Sequence, residues 1–374
     1  MIYSNQAFMQ EVMMKNIRKI VLTGGPCAGK TTAIRAIQKV FTGKGFRVLA
    51  VSETASELLT GGISPFNMDN VTFQYIVTST MRFKESMMEL AAQTIEEENV
   101  LIVCDRAQMD NTAYMSDDQL HSMMDRLGTN IVEMRDGYDA VFHLETSAKS
   151  KTDAYSRNFN TNAARYESAA EAIATDNLIM KGWVGHPHMR IIPANMDFDA
   201  KIAHLVKEVD HVVCKNVEIE RKFLIEKPTD AVIAAIPFAR AVSIEQCYIN
   251  DDSGKYRVRK RGDDGAYIYI KTVKSKAEGI TRSETETRIT EQEYEAAKER
   301  AEACLTKTRL CIAENGKYFE LDIYPYSEKY AVIEIELCDE KEEFVLPSYL
   351  NVIREVTGEK DYSNHTIART HIIK

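Results

Sequence analysis

The sequence contains no apolar run near the ~18 residues that a membrane-crossing helix requires, which leaves no candidate span. Its first residues, MIYSNQAFMQEVMMKN, lack an apolar stretch behind a basic one and do not read as a secretory signal. A short amphipathic helix or a frayed end fits them instead. Cysteine is sparse: seven residues, odd in number, irregularly spaced and without a CxxC pair. That pattern argues against both a zinc site and a disulfide framework, and points to thiols kept reduced in a cytosol. Glycine (17) and proline (8) are too few for a low-complexity chain, and no segment repeats. An excess of positive charge is also missing. The formal net charge of −9 argues against a broad nucleic-acid-binding surface, while leaving room for local basic sites.

What is present is a chain of 374 residues, 44% hydrophobic and 28% charged, longer than one hydrophobic core usually supports. The pattern changes near residues 211–216, so two domains are expected, 1–212 and 216–374. The first alternates apolar runs with helical stretches. The runs are RKIVLT (18–23), FRVLAV (46–51), NVLIVC (99–104), YDAVFHL (138–144) and MRIIPA (189–194). Such alternation predicts an α/β domain, a parallel sheet with helices on both faces. The second half holds eight segments of alternating polarity: 218–225, 239–250, 254–262, 266–275, 281–290, 305–313, 317–324 and 331–338. Turn signals such as NDDSG, GDDG and ENG separate them, with one clear helix, EQEYEAAKERAE. An antiparallel α+β domain of eight strands is expected there.

RKIVLT runs directly into GGPCAGKTT and then a helical AIRAIQKVF. Gly24, Gly29, Lys30 and Thr31 fit G-x-x-x-x-G-K-[ST] in the strand–loop–helix setting that the motif requires. Glycines let backbone N–H groups wrap a phosphate, and the following helix adds its positive end. Lys30 is expected on the β- and γ-phosphates and Thr31 on Mg²⁺. The wider cradle is Gly25, Pro26, Cys27, Ala28 and Thr32. Ligands of open α/β sheets bind at the carboxyl ends of the strands, where Glu53, Asp105-Arg106, Glu145 and Asn195 stand. Asp105 suits a Mg²⁺-holding carboxylate and Glu53 a base for a substrate hydroxyl; each could instead be a helix-capping acid. Asp110 and Tyr114, one helical turn apart, could join Arg106 on a second substrate or form a structural hydrogen-bond group. Over forty residues separate the fourth and fifth runs, a length that suits a lid. Within it Arg157 and Arg165 could stabilise a transferred phosphoryl, or be solvated. His186 and His188 read as packing residues.

The stretch VEIERKFLI (217–225) opens the second half. As a strand it puts Glu218, Glu220 and Lys222 on one face, opposite Ile219, Phe223 and Ile225. The pattern recurs: Arg257, Arg259 and Arg261 align, as do Lys271 with Tyr267 and Tyr269. So do Glu284, Glu286 and Arg288, then Lys307 and Arg309, then Glu320, Asp322 and Tyr324, then Glu334 and Glu336. An open sheet with a wet face is one reading. Against it, one helix is a small cover for eight apolar faces. A closed tunnel of about eight strands, lined by bases and acids around a polyanion and divalent metal, is the other.

E-x-E-x-K followed by Phe223-Leu224, with YRVRKR, YIYIKT, SETETR, VIEIEL and EVTGEKDYSNHTIA, resembles the CYTH, or triphosphate tunnel, superfamily over roughly 216–374. Its members act on triphosphates with divalent metal. The resemblance implies Glu218, Glu220, Glu334 and Glu336 as metal-side acids, Mg²⁺ or Mn²⁺ as the ion, and Lys222, Arg257, Arg259, Lys271 and Arg309 as phosphate ligands, with Lys360 a further candidate. The first half, with GGPCAGKTT, SETASEL, CDRAQMDNTAYM and WVGHPHMRIIPAN, resembles nicotinamide-riboside-kinase-like P-loop domains. It is still more similar to the P-loop domain fused to a CYTH domain in the translocation-defect family and its microbial relatives. The glycine usual in the loop after the acid–arginine pair is replaced here by Ala107 and Gln108.

Two functions follow as expectations. The first is an enzyme that binds ATP or GTP with Mg²⁺ in the first half and hydrolyses a second triphosphate in the other, with Glu53, Asp105, Arg165, Glu220 and Lys222 carrying the chemistry. The second is a nucleotide-dependent switch or adaptor whose basic tunnel captures a phospholipid head group or phosphorylated partner without turnover. The presence of both acid pairs favours the enzyme.

Overall fold

The computed structural model describes residues 15–150, 168–215, 219–251, 254–263, 265–274 and 284–373. The first sheet has five parallel strands: β1 (Asn16–Thr23), β2 (Arg47–Val51), β3 (Asn99–Asp105), β4 (Ala140–Leu144) and β5 (Met189–Ile192). Their order is β2-β3-β1-β4-β5. The central run Ile20-Val21-Leu22 is solvent-free, as expected of a strand covered on both faces. Helices fill the crossovers: α1 (Lys30–Gly43), α2 (Thr54–Thr60), α3 (Asn70–Thr94), α4 (Asp117–Leu127), α5 (Ile131–Asp136), α6 (Ala169–Trp183) and α7 (Phe198–Asp210). On α1, Ala33, Ile37 and Phe41 recur every fourth residue and are buried, the apolar stripe of a helix on a sheet. Ser116 with Gln119 and Ser168 with Glu171 close capping boxes at α4 and α6.

The second sheet is antiparallel and built from β6 (Ile219–Glu226), β7 (Ala239–Asp251), β8 (Gly254–Asp263), β9 (Ala266–Lys274), β10 (Glu284–Ile289), β11 (Ala303–Glu314), β12 (Lys317–Ile323), β13 (Tyr330–Leu337) and β14 (Val352–Glu355). Three helices accompany it, α8 (Asp230–Ala234), α9 (Glu291–Lys298) and α10 (Asn364–Thr370). The fold class is the expected one, but among the described residues the strands number nine. The extra strand, β14, is four exposed residues on the edge of β6, with a bulge between Val352 and Arg354. It has no alternation of polarity to announce it.

The order β10-β9-β8-β7-β11-β12-β13-β6-β14 places β7 and β6 four steps apart, about 19 Å in a flat sheet. Burial raises the Tyr248 phenol of β7, and the cations opposing that rise include Lys222 of β6 besides Arg257 and Arg259. Leu224 of β6 and Tyr248 of β7 also share one apolar cluster with Leu305, Tyr324 and Val332, so the sheet curls with its charged face inward.

The two sheets share one core. Val242, Ile244, Ile268, Ile270, Cys311, Ala313 and Tyr318 cluster with Met109, Val132, Met134, Trp183 and Val184. Gly185 N donates to the Tyr318 hydroxyl (2.9 Å), which donates to His186 O (3.0 Å). A buried ion network caps the seam. Arg135 bonds Asp136 (2.8 Å) and Asp263 (2.9 Å), Asp136 also accepts from Arg261 (2.6 Å), and Asp263 from Arg240 (2.6 Å).

One expectation about cysteine fails. Cys247 and Cys304 stand in direct register across β7 and β11 and are disulfide-bonded. They lie 57 residues apart in the chain, so only the strand pairing reveals that they meet.

Candidate functional site

The first cluster forms where β1 ends. The loop from Gly24 to Lys30 uses positive φ at Gly24 (130°), Cys27 (57°) and Gly29 (93°). A Cβ on Gly24 would lie 2.0 Å from Leu144 O, so the loop packs against β4 as only glycine allows. Lys30 Nζ donates to Gly24 O (3.0 Å) and Gly25 O (3.3 Å), folded back into its own loop. Burial and Arg106 lower its pKa. Thr31 and Thr32 stand exposed at the start of α1.

Asp176 on α6 supports this loop from beneath and was not legible in the sequence. Its carboxylate accepts from Gly25 N (2.7 Å) and Thr146 N (3.2 Å), and pairs with Lys149 (2.7 Å) and His143 (3.3 Å). Burial raises its pKa, but His143 and Lys149 outweigh that and hold it well below the usual carboxylate range. Lys201 on α7 donates to Ala28 O (3.2 Å) and Glu145 O (2.6 Å). An isolated Asp in a helical pattern carries no signal of such a role.

Asp105 and Glu53 reach the same strand ends. Asp105 is buried, and its Oδ1 accepts no hydrogen bond among the described residues. Burial raises its pKa, opposed by Lys30. Glu53 instead pairs with Arg106 Nε (2.7 Å) and accepts from Ser56 Oγ (2.9 Å). Burial raises its proton affinity, yet Arg106 and Lys30 bring it below the ordinary value. Arg106 takes a left-handed φ of 65°, a conformation uncommon for a side chain of this kind. Asp110 is buried, bonded to Thr23 Oγ1 and to Ala107 N (2.8 Å) and 3.5 Å from Arg106 Nη1; Tyr114 is exposed. Glu145 ties strand ends together, accepting from Ala194 N at 3.1 Å. His186 is buried and neutral, its pKa driven down to about 3 by burial, with Nε2 on Tyr138 O (3.0 Å). Arg157 and Arg165 lie outside the described residues, as do Glu218 and the first fourteen positions.

The second cluster lies on the inner face of the curled sheet. Strand register puts Glu220 and Lys222 opposite Glu336 and Glu334, Glu334 opposite Glu320, and Asp322 opposite Arg309. Glu334 is buried and accepts from Lys222 Nζ (2.5 Å) and Arg309 Nη2 (2.8 Å). Burial raises it, but Lys222, Arg309 and Lys307 hold it far below the usual range. Lys222 also reaches Glu220 at 3.2 Å. Arg309 makes two further bonds to Asp322, each 2.7 Å, and also pairs with Glu320. Lys307 pairs with Asp322, while burial and Arg309 bring its pKa down to about 8.

Across the lumen the balance reverses. Arg257 and Arg259 follow each other on β8; Arg257 reaches Glu286 at 3.4 Å. Arg259 Nε donates to Gln246 Oε1 at 3.3 Å, and among the described residues no carboxylate lies within 4 Å of it. Burial and the Arg257 charge lower its pKa to about 10.

Two sequence expectations change here. Lys271 is paired with Val258, not with an arginine of β8. It therefore projects from the outer face, with its ammonium 4.3 Å from the Tyr256 ring centre. The Lys271 stripe was periodic, but periodicity does not say which face is inside. Glu336 shares the inner face with Glu334, yet its carboxylate pairs with Arg190 of β5 at 2.7 Å. Arg261 and Arg288 also belong to the seam, bonded to Asp136.

Residues 19–201 match the AAA domain family model, and residues 216–359 match the CYTH domain. The chain is a P-loop–CYTH fusion. No curated protein matches it. Among solved structures the fusion is similar to the inorganic triphosphatase NE1496, at 28% identity over 40% of this chain and 93% of that one, with a TM-score of 0.30. A second structure of NE1496, described as a hypothetical protein, aligns at 29% identity over 40% and 97%, again with a TM-score of 0.30. Among the described residues, no helix is long and apolar enough to cross a membrane.

Proposed function

We propose that the CYTH domain hydrolyses a triphosphate with a divalent cation, and that the P-loop domain binds ATP or GTP with Mg²⁺ and transfers or hydrolyses its γ-phosphoryl. The observation that carries the first part is the division of charge across the curled sheet. Carboxylates gather around Lys222 and Arg309, while Arg259 stands beside Arg257 with no carboxylate within 4 Å among the described residues. A cation pair of this kind is relieved by an anion, and phosphate oxygens match the arginine fork.

Glu220 and Glu334, hard oxygen donors bridged by Lys222, fit a Mg²⁺ or Mn²⁺ ion whose other ligands are phosphate oxygens and water. When bound, such an ion neutralises phosphate charge and lowers the pKa of a coordinated water. Lys222 and Arg309 keep Glu334 ionised and fix both its oxygens. Arg257 and Arg259 hold the terminal phosphates. Glu336, on the same face, is held by Arg190 at 2.7 Å, as Glu334 is by Lys222 and Arg309.

In the P-loop domain, the buried Asp105 oxygen, which accepts no hydrogen bond among the described residues, fits a metal–nucleotide ligand, with Lys30 for the phosphates and the hydroxyl of the adjacent Thr31 for the ion. Glu53 is assigned to holding Arg106, because that pairing weakens it as a base.

The test is phosphate release from inorganic triphosphate, ATP and GTP, each with Mg²⁺ and Mn²⁺, by wild type, Lys30→Ala and Glu220→Ala. Triphosphate turnover lost only in Glu220→Ala supports the proposal. Intact binding without turnover of any substrate would replace it with the adaptor reading, in which the tunnel captures a phosphorylated ligand.

A further inference from the structure

At the domain seam three metal-ligating side chains, Glu208, Cys338 and Glu342, converge from both domains, with His204 beside Glu208. His204 and Glu208 stand one turn apart on α7, with His204 Nε2 3.6 Å from Glu208 Oε1. Cys338 follows β13 directly, and Glu342 lies four residues further on. One ligand atom each from Glu208, Cys338 and Glu342 falls within 4.8 Å of the others. Cys338 N donates to Glu342 Oε2 at 3.0 Å, which turns that carboxylate back toward the thiol. Glu208 is only 5% exposed, and its Oε2 accepts no hydrogen bond among the described residues. The nearest cation, Arg190 Nε, is 3.4 Å away but lacks hydrogen-bond geometry. Glu342 and His204 remain partly open to solvent, which gives an ion a route in.

We propose that His204, Glu208, Cys338 and Glu342 form a transition-metal site suited to Zn²⁺, clamping the last helix of the P-loop domain to the end of the CYTH sheet. Thiolate and imidazole select Zn²⁺ over Mg²⁺, which separates this site from the all-oxygen set at Glu220 and Glu334. Tetrahedral ligands ~2.0–2.3 Å from one ion stand roughly 3.3–3.8 Å apart. The His204–Glu208 separation of 3.6 Å already meets that spacing, and Glu208, Cys338 and Glu342, within 4.8 Å of one another, meet it after a contraction of about 1 Å. Arg190 and Lys317, paired with Glu208 and Glu342, balance the carboxylates before the ion arrives. On binding, the Cys338 proton goes to solvent and the sulfur becomes a ligand.

The experiment strips the full-length protein with a chelator and titrates Co²⁺, then Zn²⁺, following the ultraviolet sulfur-to-cobalt charge-transfer band. One equivalent of Co²⁺ should produce the band and Zn²⁺ should abolish it. Glu220→Ala and Cys214→Ser should behave as wild type, and Cys338→Ser should show no band. Should Cys338→Ser fail to fold by circular dichroism, the more exposed His204→Ala decides. It should lose more Zn²⁺ affinity than the about 10-fold typical of an outer-shell partner. Absence of stoichiometric Co²⁺ uptake by wild type, a band that survives Cys338→Ser, or unchanged affinity in His204→Ala would overturn the assignment.

Discussion

Replacing Arg259 by leucine should stabilise the empty protein and weaken its hold on triphosphate. Among the described residues the guanidinium makes one hydrogen bond, to Gln246, and burial, then the Arg257 and Arg309 charges, lower its pKa to about 10. At pH 7 the group is charged in both folded and unfolded states. Its lower folded pKa therefore means that holding the charge disfavours folding. At about 1.4 kcal/mol per pKa unit the cost is on the order of 3 kcal/mol. Leucine removes that cost and forfeits one hydrogen bond, about 1 kcal/mol, with a further penalty for the stranded Gln246 oxygen. A net gain of about 1–2 kcal/mol corresponds to a rise in Tm of about 3–6 °C for a domain of roughly 150 residues. Losing a charge-assisted contact of about 1.5–3 kcal/mol should raise the Kd for inorganic triphosphate about 10- to 100-fold. Thermal unfolding with and without triphosphate, with calorimetry for the affinity, reads both effects. A variant that is less stable when empty, or that binds triphosphate as tightly as wild type, would refute the reasoning.

Other perturbations have equally specific outcomes. Asp136→Asn removes one member of a buried network and should cost about 3–5 kcal/mol in chemical denaturation. Arg261 and Arg135 outweigh burial to hold the Asp136 pKa at about 2, below its ordinary 3.8. Its stabilisation should be complete above about pH 4 and disappear as pH falls toward about 2, a slope that Asp136→Asn should flatten in acid-unfolding curves. Asp176→Ala should weaken nucleotide binding measured by fluorescence titration and lower Tm, because Gly25 N and Thr146 N lose their shared acceptor. Gly24→Ala, whose Cβ would meet Leu144 O, should abolish nucleotide binding while leaving triphosphate binding in the CYTH domain.

Much of this architecture is legible in the sequence because hydrophobic period reports burial directly. The continuous runs around Ile20 and Val103 announce covered parallel strands, and the alternation in VEIERKFLI announces a sheet with one charged face. Motif spacing likewise places Lys30 in its loop. The same logic stops where register begins. Lys271 has the right period and the wrong face, because only its pairing with Val258 orients it. Glu336 has the right face, but Arg190 from the other domain claims it. Cys247 and Cys304 meet through strand pairing, and Asp176 supports the P-loop from a helix some 150 residues away in the chain. These are long-range contacts, and a local pattern holds no record of them. Strand β14, short and exposed, buries too little to need an apolar signature.

The central claim is that one chain carries two phosphate sites that work independently. Calorimetric titration of inorganic triphosphate with Mg²⁺ into Lys30→Ala tests it most directly. The account predicts binding at one remaining site with an unchanged Kd, abolished when Glu334→Gln is added. Loss of triphosphate binding in folded Lys30→Ala alone would contradict it, assigning the ligand to the P-loop and leaving the curled sheet without a phosphate role.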